Sequence, residues 1–265
     1  MIDPYSFTSI KRFFYEIYDL LKESSSEVFE VWFEFSDIDF FKAFDKYALQ
    51  DFIARFEFIT VQKGNYIPYI VVDKIAFITQ CLSYLELDVN QLSYLLNYDG
   101  FEALIQEILS QNHYKTVKNY RFSDRSQLKY VTSQNRYEID VIGIYQNFIL
   151  VIDAKQWKRK DSYSAMNKAA NLQYQRVKAL KKNPEILSNL IQEILGFNYN
   201  YKKRLPFELI PLMVTIESNS IKINDNSVPL VAISNLNSFL QELTENIPYF
   251  KTVSVEKMSI QKQLQ

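Results

Sequence analysis

The stretch YEIDVIGIYQNFILVIDAKQWK, Tyr137 to Lys158, constrains this chain more than any other. It reads as two short strands, Tyr137 to Tyr145 and Phe148 to Lys155, joined by a tight turn at Gln146-Asn147. Side chains alternate faces along a strand. Glu138, Asp140, Ile142 and Ile144 therefore share one face of the first strand, and Ile149, Val151, Asp153 and Lys155 share one face of the second. Two aspartates and a lysine sit at parities that converge at one end of a hairpin.

Asp is depleted in strands, and Asp153 follows the apolar run FILVI. A charge beside such a run is costly unless it is paired or binds a metal. The plainer reading is that Asp153 and Lys155 end a strand and point into water as an ion pair. A second Asp on the preceding strand and an acidic helix upstream favour a functional site instead.

Asp140, then twelve residues, then Asp153-Ala154-Lys155 resembles the PD-(D/E)XK signature of restriction-endonuclease-like nucleases. The nearest flavours are the Mrr-type restriction enzymes and the archaeal Holliday junction resolvases. Those families carry a Glu on a helix before the hairpin, a place filled here by Phe101-Glu102 in DGFEALIQEIL. The likeness covers Gly100 to Leu180, more weakly the chain to Leu243, and leaves the N-terminal part untouched.

The resemblance implies that Asp140, Asp153 and the Ala154 carbonyl bind Mg²⁺ (or Mn²⁺), with Glu102 acting through water or on a second ion. It implies that Lys155 positions the attacking water and stabilises charge. Phosphodiester hydrolysis needs both a counter-charge for the phosphoryl oxygens and a nucleophile at neutral pH, and a hard cation on carboxylates supplies both. Gln173, on the helix after the lysine, is the candidate supporting residue, with an exposed helix position as its other reading. A RecB-like variant has Tyr four residues after that Gln; Val177 stands there, which disfavours that subfamily. Glu138 shares the face of Asp140 and is either a further ligand or a solvated strand-end residue. Trp157 either packs under the site or stacks on nucleic acid.

Composition narrows the alternatives. Four glycines in 265 residues exclude glycine-rich phosphate loops, and the single histidine, His113, excludes histidine-based metal sites and triads. The single cysteine, Cys81, excludes an internal disulfide and fits a reducing compartment, so the expected location is cytoplasmic. The N-terminus lacks the pattern of a signal peptide, and no long uncharged apolar run suggests a membrane span.

A net charge of −1 hides an asymmetry. Residues 1–100 hold 16 acids and 8 basic residues, whereas residues 101–265 hold 15 acids and 22 basic residues. His113 to Arg136 has six basic residues and one acid, and Lys155 to Lys182 has nine and one. Basic surface around a candidate phosphodiester site is the footprint of nucleic-acid binding, of DNA first and RNA second. The expected contacts are Arg121, Arg125, Lys129, Arg136, Lys158, Arg159, Lys160 and Arg176. The competing use of these charges is a solvated helix face.

In chain order, Ser6 to Ser24 has the apolar spacing of a helix, and Val28 to Phe35 that of a short strand. Phe35 to Phe56 reads as one or two helices with Ser36 or Asp37 as N-cap. Phe56 to Val72 reads as a hairpin around Lys63-Gly64-Asn65. Helices follow at Asp73 to Leu85 and Val89 to Asn97. This order resembles a winged helix, although its acidity points to a structural or partner-binding role. Beyond it come a helix (Phe101 to Gln111), a strand (Tyr114 to Phe122), a loop (Ser123 to Gln134), the hairpin, and helices at Ala165 to Lys181 and Pro184 to Leu195. Strands at Glu208 to Ile216 and Val228 to Ile233 precede a helix over Ser238 to Glu245, where Ser238 and Gln241 are spaced as a capping box.

The expected class is α/β: a restriction-endonuclease-like core of helix, three-stranded meander, helix and strand in a mixed sheet, after a small, mainly helical α+β domain. The expected division is an N-terminal domain over 1–97, a nuclease domain over 98–250 and a polar tail over 251–265. One active site per chain cuts one strand at a time, so a homodimer is the expected assembly. Two other readings remain: a nuclease fold that binds nucleic acid without cutting it, and an interaction protein working through its acidic first domain.

Overall fold

The structure is a computed structural model that describes residues 3–64, 67–84, 89–124, 135–156, 163–196, 201–216 and 222–258. The chain divides into two compact units, Met1–Leu104 and Ile105–Gln265.

In the first unit, helix α1 (Phe7–Lys22) is capped by Ser6, whose hydroxyl accepts from the Ser9 amide. Strand β1 (Glu30–Glu34) leads to two 3₁₀ turns, Phe35–Asp37 and Asp39–Ala43. The helix expected from residue 35 therefore begins only at α2 (Lys46–Ile53), and its cap is Asp45, not Ser36 or Asp37. Polar side chains divert the backbone before that point. Asp37 accepts from the Glu34 amide at 2.9 Å, and Glu16 accepts from the Phe40 amide at 3.1 Å. Asp45 then takes the amides of Tyr47 and Ala48, both at 2.9 Å, as an N-cap should.

Strands β2 (Ile59–Lys63) and β3 (Pro68–Asp73) complete an antiparallel sheet of order β1-β3-β2. Helices α3 (Lys74–Tyr84) and α4 (Val89–Ser93) follow. Phenylalanine rings fill this core: Phe13 lies 5.1 Å from Phe52, and Phe14 lies 5.2 Å from Phe58, both edge-on or tilted as aromatic pairs prefer.

Helix α5 (Tyr98–Gln111) runs across the division of the two units. The second unit is a six-stranded mixed sheet. Strands β4 (Lys115–Asp124), β5 (Asn135–Tyr145) and β6 (Phe148–Lys155) form an antiparallel meander. Helices α6 (Tyr163–Lys182) and α7 (Pro184–Leu195) cross over to β7 (Phe207–Thr215), which pairs parallel to β6. Strand β8 (Leu230–Ala232) then pairs parallel to β7. Helix α7 opens on Pro184 in the first turn, where a missing N–H costs nothing.

The centre of the sheet is sandwiched. Ile142, Ile144, Ile149 and Val151 pack on one face with Val177, Leu180, Leu187 and Leu190 from α6 and α7. On the other face Gly143 admits the end of α5: a Cβ there would lie 3.2 Å from both Leu109 and Tyr114. Ile149 to Ile152 are buried because both faces are covered, as parallel pairing in a central strand requires.

Two expectations near the C-terminus fail. Ser238 does not start a helix. The 3₁₀ turn Ile233–Asn235 leads straight into α8 (Leu236–Gln241), burying Leu236 and Leu240, and α9 (Leu243–Asn246) follows a break at Glu242. Residues 251–258 are not simply a polar tail either. Strand β9 (Val253–Val255) pairs antiparallel to β7 at Phe207–Leu209, and its alternation buries Val253 and Val255.

Candidate active site

The β5–β6 ladder runs from Tyr145↔Phe148 to Val141↔Ile152 and stops there. Asp140 and Asp153 occupy the next position. On the other side of β5, the β4 ladder skips Asn119, which lies opposite Asp140 in register and has φ +57°. Asn enters this left-handed region more readily than most residues. The regular pairing thus lapses on both sides of Asp140. In its place the Asp140 carboxylate accepts a 2.7 Å hydrogen bond from the Ala154 amide through Oδ2. A side chain of one strand takes over a backbone group of the next and holds the two acids together.

Both carboxylates are largely withdrawn from water: the side chains of Asp140 and Asp153 are 9% and 2% exposed. Buried anions need cations. Lys155 Nζ lies 3.1 Å from Asp153 Oδ2 and 3.9 Å from Asp140 Oδ2. Helix α6 supplies a second cation: Arg176 Nη1 donates to Asp153 Oδ1 at 2.5 Å, from a side chain that is 14% exposed. Gln173, one turn earlier and fully buried, ties helix to strand. Its Nε2 donates to the Val151 carbonyl at 2.6 Å, and its Oε1 accepts from Arg176 Nη1 at 2.8 Å. Gln173 is thus a buried bridge and not an exposed helix residue.

Asp140, Asp153, Lys155, Gln173 and Arg176 are therefore brought together. Glu102 is a buried residue of α5, 2% exposed. Glu138 lies at the exposed end of β5, paired with Arg121 at 2.7 Å. Arg136 is exposed as well. Arg125, Lys129, Lys158, Arg159 and Lys160 lie outside the described residues, as does Trp157. Arg176, an expected nucleic-acid contact, sits in the acid cluster, paired with Asp153. The signal for this is its spacing: it stands three residues after Gln173 and one before Val177, on the edge of the buried stripe of α6. Thr215, which no motif in the sequence singles out, is buried and is the parallel register partner of Lys155.

The donor set suits a hard divalent cation. Two carboxylates and a peptide oxygen are the ligands Mg²⁺ takes when waters and a substrate phosphate complete its shell. Among the described residues Asp153 Oδ2 is buried, accepts no hydrogen bond and lies 3.1 Å from the Lys155 ammonium, which leaves a lone pair for such an ion. Among the described residues no group of three or more His, Cys, Asp or Glu gathers to hold a metal by itself.

Comparison with known proteins gives a family match. The nuclease-related domain (NERD) family matches residues 98–212, which supports a nuclease-like domain there. The crystal structure of protein VC1899 from Vibrio cholerae is similar at 12% identity and a TM-score of 0.32, over 91% of this chain and 51% of that one. The chain thus spans about half the length of that protein. No curated protein matches the chain.

Proposed function

We propose that the second unit is a Mg²⁺- or Mn²⁺-dependent nuclease of the PD-(D/E)XK type that hydrolyses phosphodiester bonds of DNA, as an endonuclease in restriction, repair or recombination. The observation that carries this reading is the convergence of Asp140, Asp153 and Lys155 where the β5–β6 ladder ends. The match to a nuclease-related domain, which spans these residues, points the same way. A divalent ion on Asp140, Asp153 and the Ala154 carbonyl would supply Lewis acidity and a water of lowered pKa.

The chain's own residues do the remaining work. Lys155 offers a cation to the phosphoryl oxygens and orients the attacking water. Gln173 holds the end of β6 against α6. Arg121, Arg125, Lys129, Arg136, Lys158, Arg159 and Lys160 provide counter-charge for the phosphate backbone, so affinity falls steeply with salt. Two chains around one two-fold axis bring two sites to one duplex or junction, so the working form is a homodimer. The setting is cytoplasmic, in keeping with the single, buried, unbridged Cys81. Among the described residues no helix is long and apolar enough to cross a membrane.

A panel of labelled DNA and RNA substrates with Mg²⁺, Mn²⁺ or EDTA tests the reading. Cleavage should need the metal, and Asp153→Ala should abolish it while largely sparing DNA binding. Full activity in EDTA, or in Asp153→Ala, overturns the assignment. A second reading, a nuclease-like domain that binds without cutting, has one observation in its favour: Arg176 already occupies Asp153. Metal-independent DNA binding with no cleavage of any substrate selects it. Sedimentation equilibrium with and without DNA tests the dimer, and a monomer that makes paired cuts refutes it.

A further inference from the structure

Among the described residues, the ion pairs of the acid cluster set Asp140 and Asp153 against Lys155 and Arg176, two charges of each sign. The cluster is sunk between sheet and helix, where such cancellation matters most. A divalent cation added to this arrangement brings an excess of positive charge into a poorly solvated place. One phosphodiester anion, whose charge grows toward the transition state, would restore most of the balance. The two ligands therefore favour each other electrostatically, and each is disfavoured alone.

Arg176 has the geometry to make that coupling sharp. Its Nη1 is committed to Asp153 Oδ1 and Gln173 Oε1, while Nε and Nη2 donate no hydrogen bond among the described residues. The guanidinium is a planar fork suited to bidentate contact with phosphate. It is anchored at i+3 from Gln173, which is fixed to β6 by the Val151 carbonyl. A short change of side-chain torsion therefore moves the fork off the carboxylate without disturbing the helix.

We infer that Arg176 is an exchange residue: it neutralises Asp153 until the metal takes that carboxylate, and it then transfers to a non-bridging oxygen of the phosphodiester. This rests on the nuclease reading and deepens it. Metal and nucleic acid are then thermodynamically coupled, each tightening the other by the same factor. Arg176 is on this account a positioning and coupling residue, and its role shows in binding before any bond is cut.

The test is Mn²⁺ binding to the full chain, followed by electron paramagnetic resonance, alone and with a phosphorothioate DNA duplex that resists cleavage. In the wild type, duplex should tighten Mn²⁺ at least tenfold, and Mn²⁺ should tighten duplex equally. In Arg176→Met, Mn²⁺ alone should bind several-fold more tightly, because its competitor for Asp153 is gone, and the duplex-induced gain should shrink toward unity. Arg176→Lys should keep part of the coupling. A wild type in which duplex leaves Mn²⁺ affinity unchanged overturns the exchange whatever the variants do. So does an Arg176→Met protein, folded by circular dichroism, that binds Mn²⁺ as the wild type does. If Asp153→Ala binds Mn²⁺ as tightly as the wild type, the metal is not at the acid pair, and the nuclease reading itself fails.

Discussion

The Asp140 carboxylate accepts the Ala154 amide at 2.7 Å, so one of the two acids is also a structural clamp on the strand that carries the other. Its two roles separate by substitution. Asp140→Asn keeps an acceptor oxygen at the same place and should cost less stability than Asp140→Ala while removing cleavage. Asp140→Ala removes that acceptor from a buried amide and should also cost about 1–3 kcal/mol of stability. Thermal or denaturant unfolding beside a cleavage assay checks both. An Asp140→Asn protein that still cuts at the wild-type rate would remove Asp140 from the site.

The hairpin was legible because its signals are local: alternation fixes the faces, and two aspartates on apolar strands have few uses. The same holds for α7, announced by Pro184. The break between Phe35 and Asp45 was not legible, because Glu16, more than twenty residues earlier, takes the Phe40 amide. Strand β9 was hidden for a similar reason. A three-residue strand of two valines around a serine means little until β7 lies beside it. At the site, Asp140, Asp153, Lys155 and Gln173 could be named from pattern, but the placing of Arg176 on Asp153 depends on how α6 packs over β6.

Asn119 should tolerate only a narrow set of replacements. Its φ of +57° places it in the left-handed region, opposite Asp140 in the β4–β5 register. Asn119→Gly should be close to neutral, since glycine enters that region freely. Asn119→Ile should cost about 1–2 kcal/mol, because a branched side chain collides there with its own backbone. The strain lies beside Asp140, so cleavage should fall with stability in the Ile variant and not in the Gly variant. Equal stability of the two proteins in urea titrations would contradict the assignment.

Asn224 is a loop anchor with every polar atom engaged. Its Nδ2 donates to Asn167 and Asn171 on α6, and its Oδ1 accepts the amides of Asn226 and Val228. Asn224→Asp would exchange two donated hydrogen bonds for the repulsion of two oxygens, and Asn224→Ala would lose all four contacts. Each should destabilise by about 1–3 kcal/mol without altering metal affinity, since the acid cluster shares none of these groups. Chemical denaturation together with Mn²⁺ binding separates the two effects. A loss of metal binding with normal stability would show that the loop belongs to the site.

Alkaline pH should weaken the second unit through two tyrosines. Burial pushes the Tyr114 hydroxyl well above the usual tyrosine range, helped by the neighbouring Tyr145, and burial with nearby Glu193 raises Tyr120 to about 12. The charged form of each is disfavoured in the folded protein, whereas the unfolded chain ionises near the ordinary value of about 10. Above that pH the unfolded state has released protons that the native state retains. Since stability changes with pH as the unfolded state's excess of bound protons, it must fall. The contribution is intact below pH 10 and is lost as pH rises toward the folded values. Urea midpoints measured from pH 8 to 11 should decline above about pH 10, and the decline should be shallower in Tyr120→Phe, which cannot ionise. A Tyr120→Phe protein that follows the wild-type curve throughout would show that Tyr120 does not contribute.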